Sequence, residues 1–320
     1  MITFQLAGKR YKDGTSAVKN LNLDIREGEF FVLIGPSGCG KTTSLKMVNR
    51  LAANTEGSVL VQGKDVHSYN VYELRRKIGY VLQQIALFPH MTVEENIAIV
   101  PELKGRNRKE ISSRVNDLLE MAGLEPRQYR KKRPAELSGG EQQRVGVMRA
   151  LAGDPEIILM DEPFSALDPI SREKLQEDML ALQQKIRKTI LFVTHDMQEA
   201  IRLADRICIM NKGEAVQIGT LEEITRHPEN EFVREFIGKA RSILHPDKLR
   251  PMNLAEELNG GADVPAHTVP YDATASEVLE KLENTEEVAV EENGAVIGVI
   301  SRKALIAELG RSLHERGGSR

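Results

Sequence analysis

A chain of 320 residues, 41% hydrophobic and 28% charged, has room for one sizeable α/β domain and a smaller appendage. Its formal net charge of −3 gives no global electrostatic case for nucleic acid or an anionic membrane as partner. No apolar run approaches the roughly 20 residues of a membrane span, the opening MITFQLAGKR lacks the layout of a secretory leader, and two cysteines, Cys39 and Cys208, suit a reducing cytosol.

Residues 1–34 read as short strands, with a turn at Lys12-Asp13-Gly14-Thr15 and a single large aromatic, Tyr11, just before it. From Glu29 to Ile34 the chain carries a continuous apolar run, as expected of a strand buried on both faces. Next comes GPSGCGKT: Gly35, Pro36, Ser37, Gly38, Cys39, Gly40, Lys41 and Thr42, followed by Thr43. Glycine, four residues, then Gly-Lys-Thr is the phosphate-loop pattern. Glycines let backbone N–H groups converge on phosphate oxygens, and the helix start adds partial positive charge. On that pattern Lys41 reaches the β- and γ-phosphates and the Thr42 hydroxyl ligands Mg²⁺. A glycine-rich turn that merely starts a helix is the plain alternative. The strand before it, and Leu45, Val48 and Leu51 at helical spacing after it, weigh against that. Cys39 sits where a helix N-terminus would lower its pKa, yet reads better as a small residue tolerated in the loop.

A strand over 57–63, a short charged helix over 72–77 and a strand over 78–82 follow. Residues 83–133 read as a helical insertion, in which Ile111, Val115, Leu118, Leu119 and Ala122 form one apolar stripe. The α/β pattern resumes at Glu141. Strands over 157–160 and 189–193 alternate with helices over 171–187 and through Ala200 and Leu203, and a hairpin turns at Lys212-Gly213. Parallel strands alternating with helices predict a doubly wound sheet with its ligand at the strands' carboxyl ends.

From about Lys239 the texture changes, and 239–265 reads as a linker. Thr274 to Glu277 is a capping box ahead of Val278, Leu279 and Leu282. Strands over 288–290 and 295–300 flank Asn293-Gly294, and a helix passes through Leu305 and Leu309. An α+β unit of about 50 residues is small for independent stability, so a partner copy is expected.

The strand over 157–160 ends in two acids. Asp161 suits Mg²⁺ opposite Thr42, and Glu162 points differently, placed to polarise a water for in-line attack on a γ-phosphate. Leu137-Ser138-Gly139-Gly140-Glu141 opens a helix and makes a second anion nest that lacks a lysine. One triphosphate does not require two cradles. The economical resolution is that the second serves a neighbouring molecule's nucleotide.

Residues 1–238 resemble the ATPase subunit of an ATP-binding cassette (ABC) transporter, an α/β P-loop NTPase with a helical subdomain at about 83–140. The motifs stand in family order: GPSGCGKT, Gln83 at the head of the Q-loop, LSGGE, ILMDE, the D-loop Ser165 to Asp168, and His195. The resemblance implies a head-to-tail homodimer that buries two ATP molecules with Mg²⁺. Each nucleotide lies between Lys41, Thr42 and Asp161 of one copy and Ser138, Gly139 and Gly140 of the other, with the whole loop Gly35–Thr43 and the D-loop Asp168 counted among the nucleotide-binding residues. It makes Glu162 the general base, with His195 and Lys41 at the γ-phosphate and Gln83 beside the metal. Tyr11 matches the aromatic that stacks on adenine, although core filling is its plain alternative. Glu141 stands where many relatives carry Gln, with no effect expected on catalysis. The basic run Arg127 to Arg133 reads as a solvated helix end and not as a nucleic-acid site.

More finely, Gln83–Val93 is similar to the importer branch, where it faces the membrane subunit, and Lys46–Arg50, Glu73–Gly79 and Asn230–Phe236 resemble ATPases of quaternary-amine osmolyte importers, which move glycine betaine, carnitine, choline or proline betaine. Residues 266–312 resemble one CBS motif, which in those importers supports regulation by ionic strength or adenine-containing ligands. Relatives usually carry two such motifs and one is legible here, so a pair would have to form across the dimer. The implied partners are membrane permease subunits and, indirectly, an extracellular or periplasmic solute-binding protein. The implied location is the cytoplasmic face of the membrane. The rivals are an importer ATPase for another solute such as a polyamine, a soluble cassette ATPase, or a nucleotide-responsive regulator.

Overall fold

Alternation decides how the chain begins. In β1 (Ile2–Arg10) and β2 (Ser16–Ile25), Ile2 and Phe4 and then Leu21, Leu23 and Ile25 are buried while residues between them face solvent. The two strands pair antiparallel around the expected Asp-Gly turn, where Asp13 accepts from the Thr15 N–H at 2.9 Å. A computed structural model describes residues 1–165, 167–244, 265, 267–270, 273, 275–282, 285–292 and 295–305. The chain divides into two units, Met1–Glu235 and Phe236–Arg320.

In the first unit β3 (Phe30–Ile34) is buried throughout and runs into α1 (Lys41–Val48). Beyond it lie β4 (Glu56–Val61), β5 (Lys64–Asp65), α2 (Val71–Arg76) and β6 (Ile78–Val81). The helical segment holds α3 (Val93–Leu103), α4 (Arg108–Met121), α5 (Pro126–Tyr129) and α6 (Gly139–Ala152). The rest of the unit comprises β7 (Ile157–Asp161), α7 (Pro169–Ile186), β8 (Thr189–Thr194), α8 (Met197–Leu203), β9 (Arg206–Asn211), β10 (Glu214–Gly219) and α9 (Leu221–Arg226). α10 (Glu231–Leu244) carries helix through 239–244, into the stretch expected to be linker.

The described strands of this unit make two sheets, not one. A six-stranded sheet runs β10-β9-β3-β8-β7-β6, parallel except for β10, and a four-stranded antiparallel sheet runs β2-β1-β4-β5. The reason is amphipathicity. β1, β2 and β4 have one apolar face each and need only one covered side, whereas β3, β7 and β8 are apolar on both. Between the sheets Ile2, Phe4, Leu21 and Val61 pack with Leu33, Leu159, Leu191 and α1's Leu45 in one core.

In the helical segment the α4 stripe Ile111, Val115, Leu118 and Leu119 is buried as expected. The basic run is only partly solvated: Arg130 pairs with Glu94 of α3 and donates to Asn116 and Ser112 of α4. It braces those helices because a planar guanidinium can serve three acceptors at once.

The second unit contains β11 (Thr268–Pro270), α11 (Ala275–Leu282), β12 (Glu287–Glu292) and β13 (Ala295–Ser301). β11 and β12 are parallel and β12 and β13 antiparallel, over a core of Val269, Val278, Leu282, Val288, Val290 and Ile300. Thr274, Asn293-Gly294, Leu309, most of the expected linker, and Ala166 of the D-loop lie outside the described residues.

Candidate functional site at the carboxyl edge of the parallel sheet

Four neighbouring parallel strands, β3, β8, β7 and β6, end on the same edge. Ile34 lies beside Thr194, Val193 beside Asp161, and Met160 beside Val81. Residues far apart in sequence therefore emerge side by side: the glycine-rich loop after β3, His195 after β8, Asp161 and Glu162 at the end of β7, and Gln83 just after β6.

The loop itself is wrapped tightly by the chain around it. Gly40 caps α1 with φ +104°, and a Cβ there would stand 2.3 Å from the Ala17 carbonyl oxygen. At Gly35 a Cβ would meet the Met210 carbonyl oxygen at 2.1 Å. Glycine is required at both places by space as well as by backbone conformation. Lys41 is buried, and its ammonium donates to the loop's own carbonyls, Gly35 O at 2.7 Å and Pro36 O at 3.0 Å. The Cys39 thiol is not activated. Burial pushes its pKa up and outweighs the pull of Lys41, which removes the alternative that the helix start lowers it.

Thr42 Oγ1 donates to Asp161 Oδ1 at 2.7 Å, so the two expected metal-side groups are in direct contact. The other carboxylate oxygen of Asp161 accepts from the Tyr80 hydroxyl at 3.4 Å. Burial and the adjacent Asp161 push the Tyr80 pKa up, so its hydroxyl remains a donor. Sequence reading missed Tyr80. A tyrosine one residue from the end of an otherwise apolar strand leading to Gln83 was the available signal.

Glu162 takes the left-handed backbone region, φ +44°, and its N–H donates to Val193 O at 2.9 Å. Such a conformation in a non-glycine residue costs on the order of 1–3 kcal/mol and turns the chain sharply at the strand end. That turn aims the carboxylate away from Asp161. Glu162 Oε2 lies 3.1 Å from His195 Nδ1 and accepts from Gln83 Nε2 at 3.4 Å. Three residues singled out from separate strands thus share one carboxylate oxygen.

The second nest stands apart from this cluster. Ser138 caps α6 in a capping box with Glu141, whose carboxylate accepts from Ser138 N at 2.7 Å and from the Tyr129 hydroxyl at 2.6 Å. Glu141 is therefore a structural brace at the helix start. Ser138 and Gly139 are exposed, and among the described residues no hydrogen bond joins them to the glycine-rich loop. Asp168 caps α7 by accepting from Ser171 N at 3.0 Å. Tyr11 is 42% exposed, which removes core filling, and its hydroxyl lies 3.4 Å from Thr43 Oγ1. Among the described residues no helix is long and apolar enough to cross a membrane.

Comparison with known proteins bears on this geometry. A family model described as ABC transporter matches residues 18–165, and one described as CBS domain matches residues 262–311. The chain is 50% identical over 281 residues to the glycine betaine/carnitine/choline transport ATP-binding protein OpuCA of Bacillus subtilis, covering 88% of this chain and 72% of that one. It is 49% identical over 282 residues to the choline transport ATP-binding protein OpuBA of the same organism, with the same coverage. Among solved structures, the dimeric post-hydrolysis state of the ATP-binding cassette MJ0796 bound to ADP and phosphate aligns with a TM-score of 0.62 at 38% identity. That alignment covers 69% of this chain and 99% of the other. The edge of four strand ends and the relatives agree: this chain belongs to the ATP-binding, ATP-hydrolysing proteins of the ABC transporter family and carries a CBS domain.

Proposed function

We propose that the chain is the energising subunit of an importer for quaternary-amine compatible solutes (glycine betaine, carnitine or choline) that cross the membrane through a separate permease. One observation carries the hydrolytic part. The Glu162 carboxylate is held by His195 and Gln83 while Asp161, one residue earlier, is tied to Thr42. The choice of solute rests on the names of the relatives.

In this reading the triphosphate lies in the turn Gly35–Thr43, where Lys41 exchanges its carbonyl partners for phosphate oxygens. Thr42 Oγ1 and Asp161 Oδ1 are hard oxygen donors in contact, and they would hold a Mg²⁺ beside the phosphates. Gln83 borders the same place. When bound, the metal neutralises charge developing on the transferred phosphoryl group. Glu162 takes a proton from the attacking water, and His195 fixes the carboxylate that receives it. Ser138, Gly139, Gly140 and the D-loop with Asp168 close the site of a second copy. That arrangement explains why a well-formed anion nest lies exposed and apart from its own glycine-rich loop. Segment 1–238 is then the motor and 266–312 a regulatory CBS unit responsive to ionic strength or a nucleotide. The assembly sits peripherally at the cytoplasmic face of the membrane, with a solute-binding protein as its indirect partner.

Uptake by vesicles carrying this subunit with its permease tests the solute class. ATP-driven uptake of labelled glycine betaine should be competed by carnitine or choline and untouched by a polyamine. Competition by the polyamine alone would move the chain to another solute class. Tyr11 supplies a second check. If its exposed ring stacks on adenine, Tyr11→Ala should weaken ATP binding by about 1–3 kcal/mol, on the scale of base–aromatic stacking. Equilibrium titration with a fluorescent nucleotide reads the change, and unaltered affinity would take Tyr11 out of the site.

A further inference from the structure

Thr194 ends β8 one residue before His195, and its hydroxyl is used twice. It accepts from the Asp196 backbone N–H at 2.9 Å and donates to Glu199 Oε2 at 2.5 Å. Glu199 lies in the first turn of α8 and is 4% exposed. Glu162, Arg172, Thr194, His195, Asp196 and Glu199 line one small cavity, so the hydrolytic pair and Glu199 border the same space.

A carboxyl group carried into the interior is unfavourable unless its partners define its place. Burial pushes the Glu199 pKa up to about 7, against the Thr194 hydroxyl; Asp196 raises it further, and Arg172 and His195 oppose the rise. Those charges come from α7 and from the turn between β8 and α8, and Arg172 also pairs with Asp196 at 3.8 Å. An apolar side chain would fill the same space more favourably. What it could not do is accept from Thr194. The polarity of the relay runs one way, from the Asp196 N–H to the Thr194 hydroxyl and from that hydroxyl to Glu199. The residue flanked in the chain by Thr194 and Asp196 is His195.

We propose that Glu199 is a positioning residue for ATP hydrolysis: through Thr194 it fixes the turn 194–196, and with it the approach of His195 to Glu162. The inference rests on the reading of Glu162 and His195 as the hydrolytic pair, and Glu199 touches neither nucleotide nor reacting water. Displacements of about 1 Å in such a pair lower turnover by up to about 100-fold while leaving nucleotide binding at a separate loop intact. The phosphate loop leaves β3, not β8, so loss of the relay acts on kcat and spares KM.

Steady-state hydrolysis of Mg·ATP by the full chain tests this in four variants. Glu199→Gln keeps an acceptor oxygen and should hold kcat within about threefold of the parent. Glu199→Ala and Thr194→Val, which is isosteric, should each lower kcat about tenfold with KM for ATP changed less than about twofold. The double variant should lose no more than either single one, because both remove the same relay. A parental kcat in Glu199→Ala or Thr194→Val, or losses that multiply in the double variant, would overturn the proposal. Should Glu199→Ala fail to fold, Thr194→Val carries the test by itself. A parent protein that does not hydrolyse Mg·ATP would overturn the underlying assignment and this one with it. A hydrolysing parent with indifferent variants would overturn this one alone.

Discussion

Glu162→Gln should lower steady-state ATP hydrolysis by about 10²–10⁴-fold, the range a positioned general base supplies, while ATP still binds. The amide side chain has nearly the shape of the carboxylate and retains an acceptor for His195 or Gln83, so the loop geometry survives. Basicity is what disappears. Removing a negative charge beside the γ-phosphate position should also strengthen the ATP-bound closed state, because the carboxylate that repels phosphate oxygens is gone. The variant should therefore accumulate as a dimer on adding Mg·ATP, measured by light scattering, with phosphate release followed in parallel. Parental turnover would remove Glu162 from its role. Lost turnover without pairing would leave a nucleotide binder whose site closes some other way.

The residues that carry this prediction were legible because their chemistry is local. Gly35 to Thr42 declares itself by glycine and lysine spacing, and Asp161 and Glu162 by following an apolar strand. The parallel sheet was legible for a related reason, since β3, β7 and β8 are apolar on both faces and β1 and β2 are not. What alternation could not reveal was that the one-faced strands would form a sheet of their own. That depends on pairing between β1 and β4, which are more than forty residues apart in the chain. The second layer of the site was hidden for the same reason. Tyr80 reaches Asp161 only once β6 and β7 stand side by side, and Glu199 reaches Thr194 only once the chain turns from β8 into α8. The left-handed turn at Glu162 also left no mark in the sequence, because glutamate has no preference for that region.

Whether one copy lends its anion nest to another is decided by mixing two inactive variants. Lys41→Ala removes the only ammonium in the loop, and a charged hydrogen bond is worth about 1.5–3 kcal/mol, so ATP binding should fall about 10- to 150-fold. Gly139→Asp damages the other half. A Cβ at Gly139 has open space, with Leu167 Cδ2 at 3.9 Å its nearest neighbour, and a carboxylate in the first turn of α6 is favoured by the helix dipole. The substitution should leave α6 folded while repelling a phosphate presented to it. If each chain used its own nest, both variants would be dead and so would their mixture. With sites shared between copies, hybrid dimers contain one site built from the intact loop of Gly139→Asp and the intact nest of Lys41→Ala. An equimolar mixture should then recover up to about a quarter of parental hydrolysis, half the dimers being hybrid and each having one sound site. No recovery, with hybrid pairing verified by crosslinking, would mean that the nest at Ser138–Gly140 serves something other than a neighbour's nucleotide.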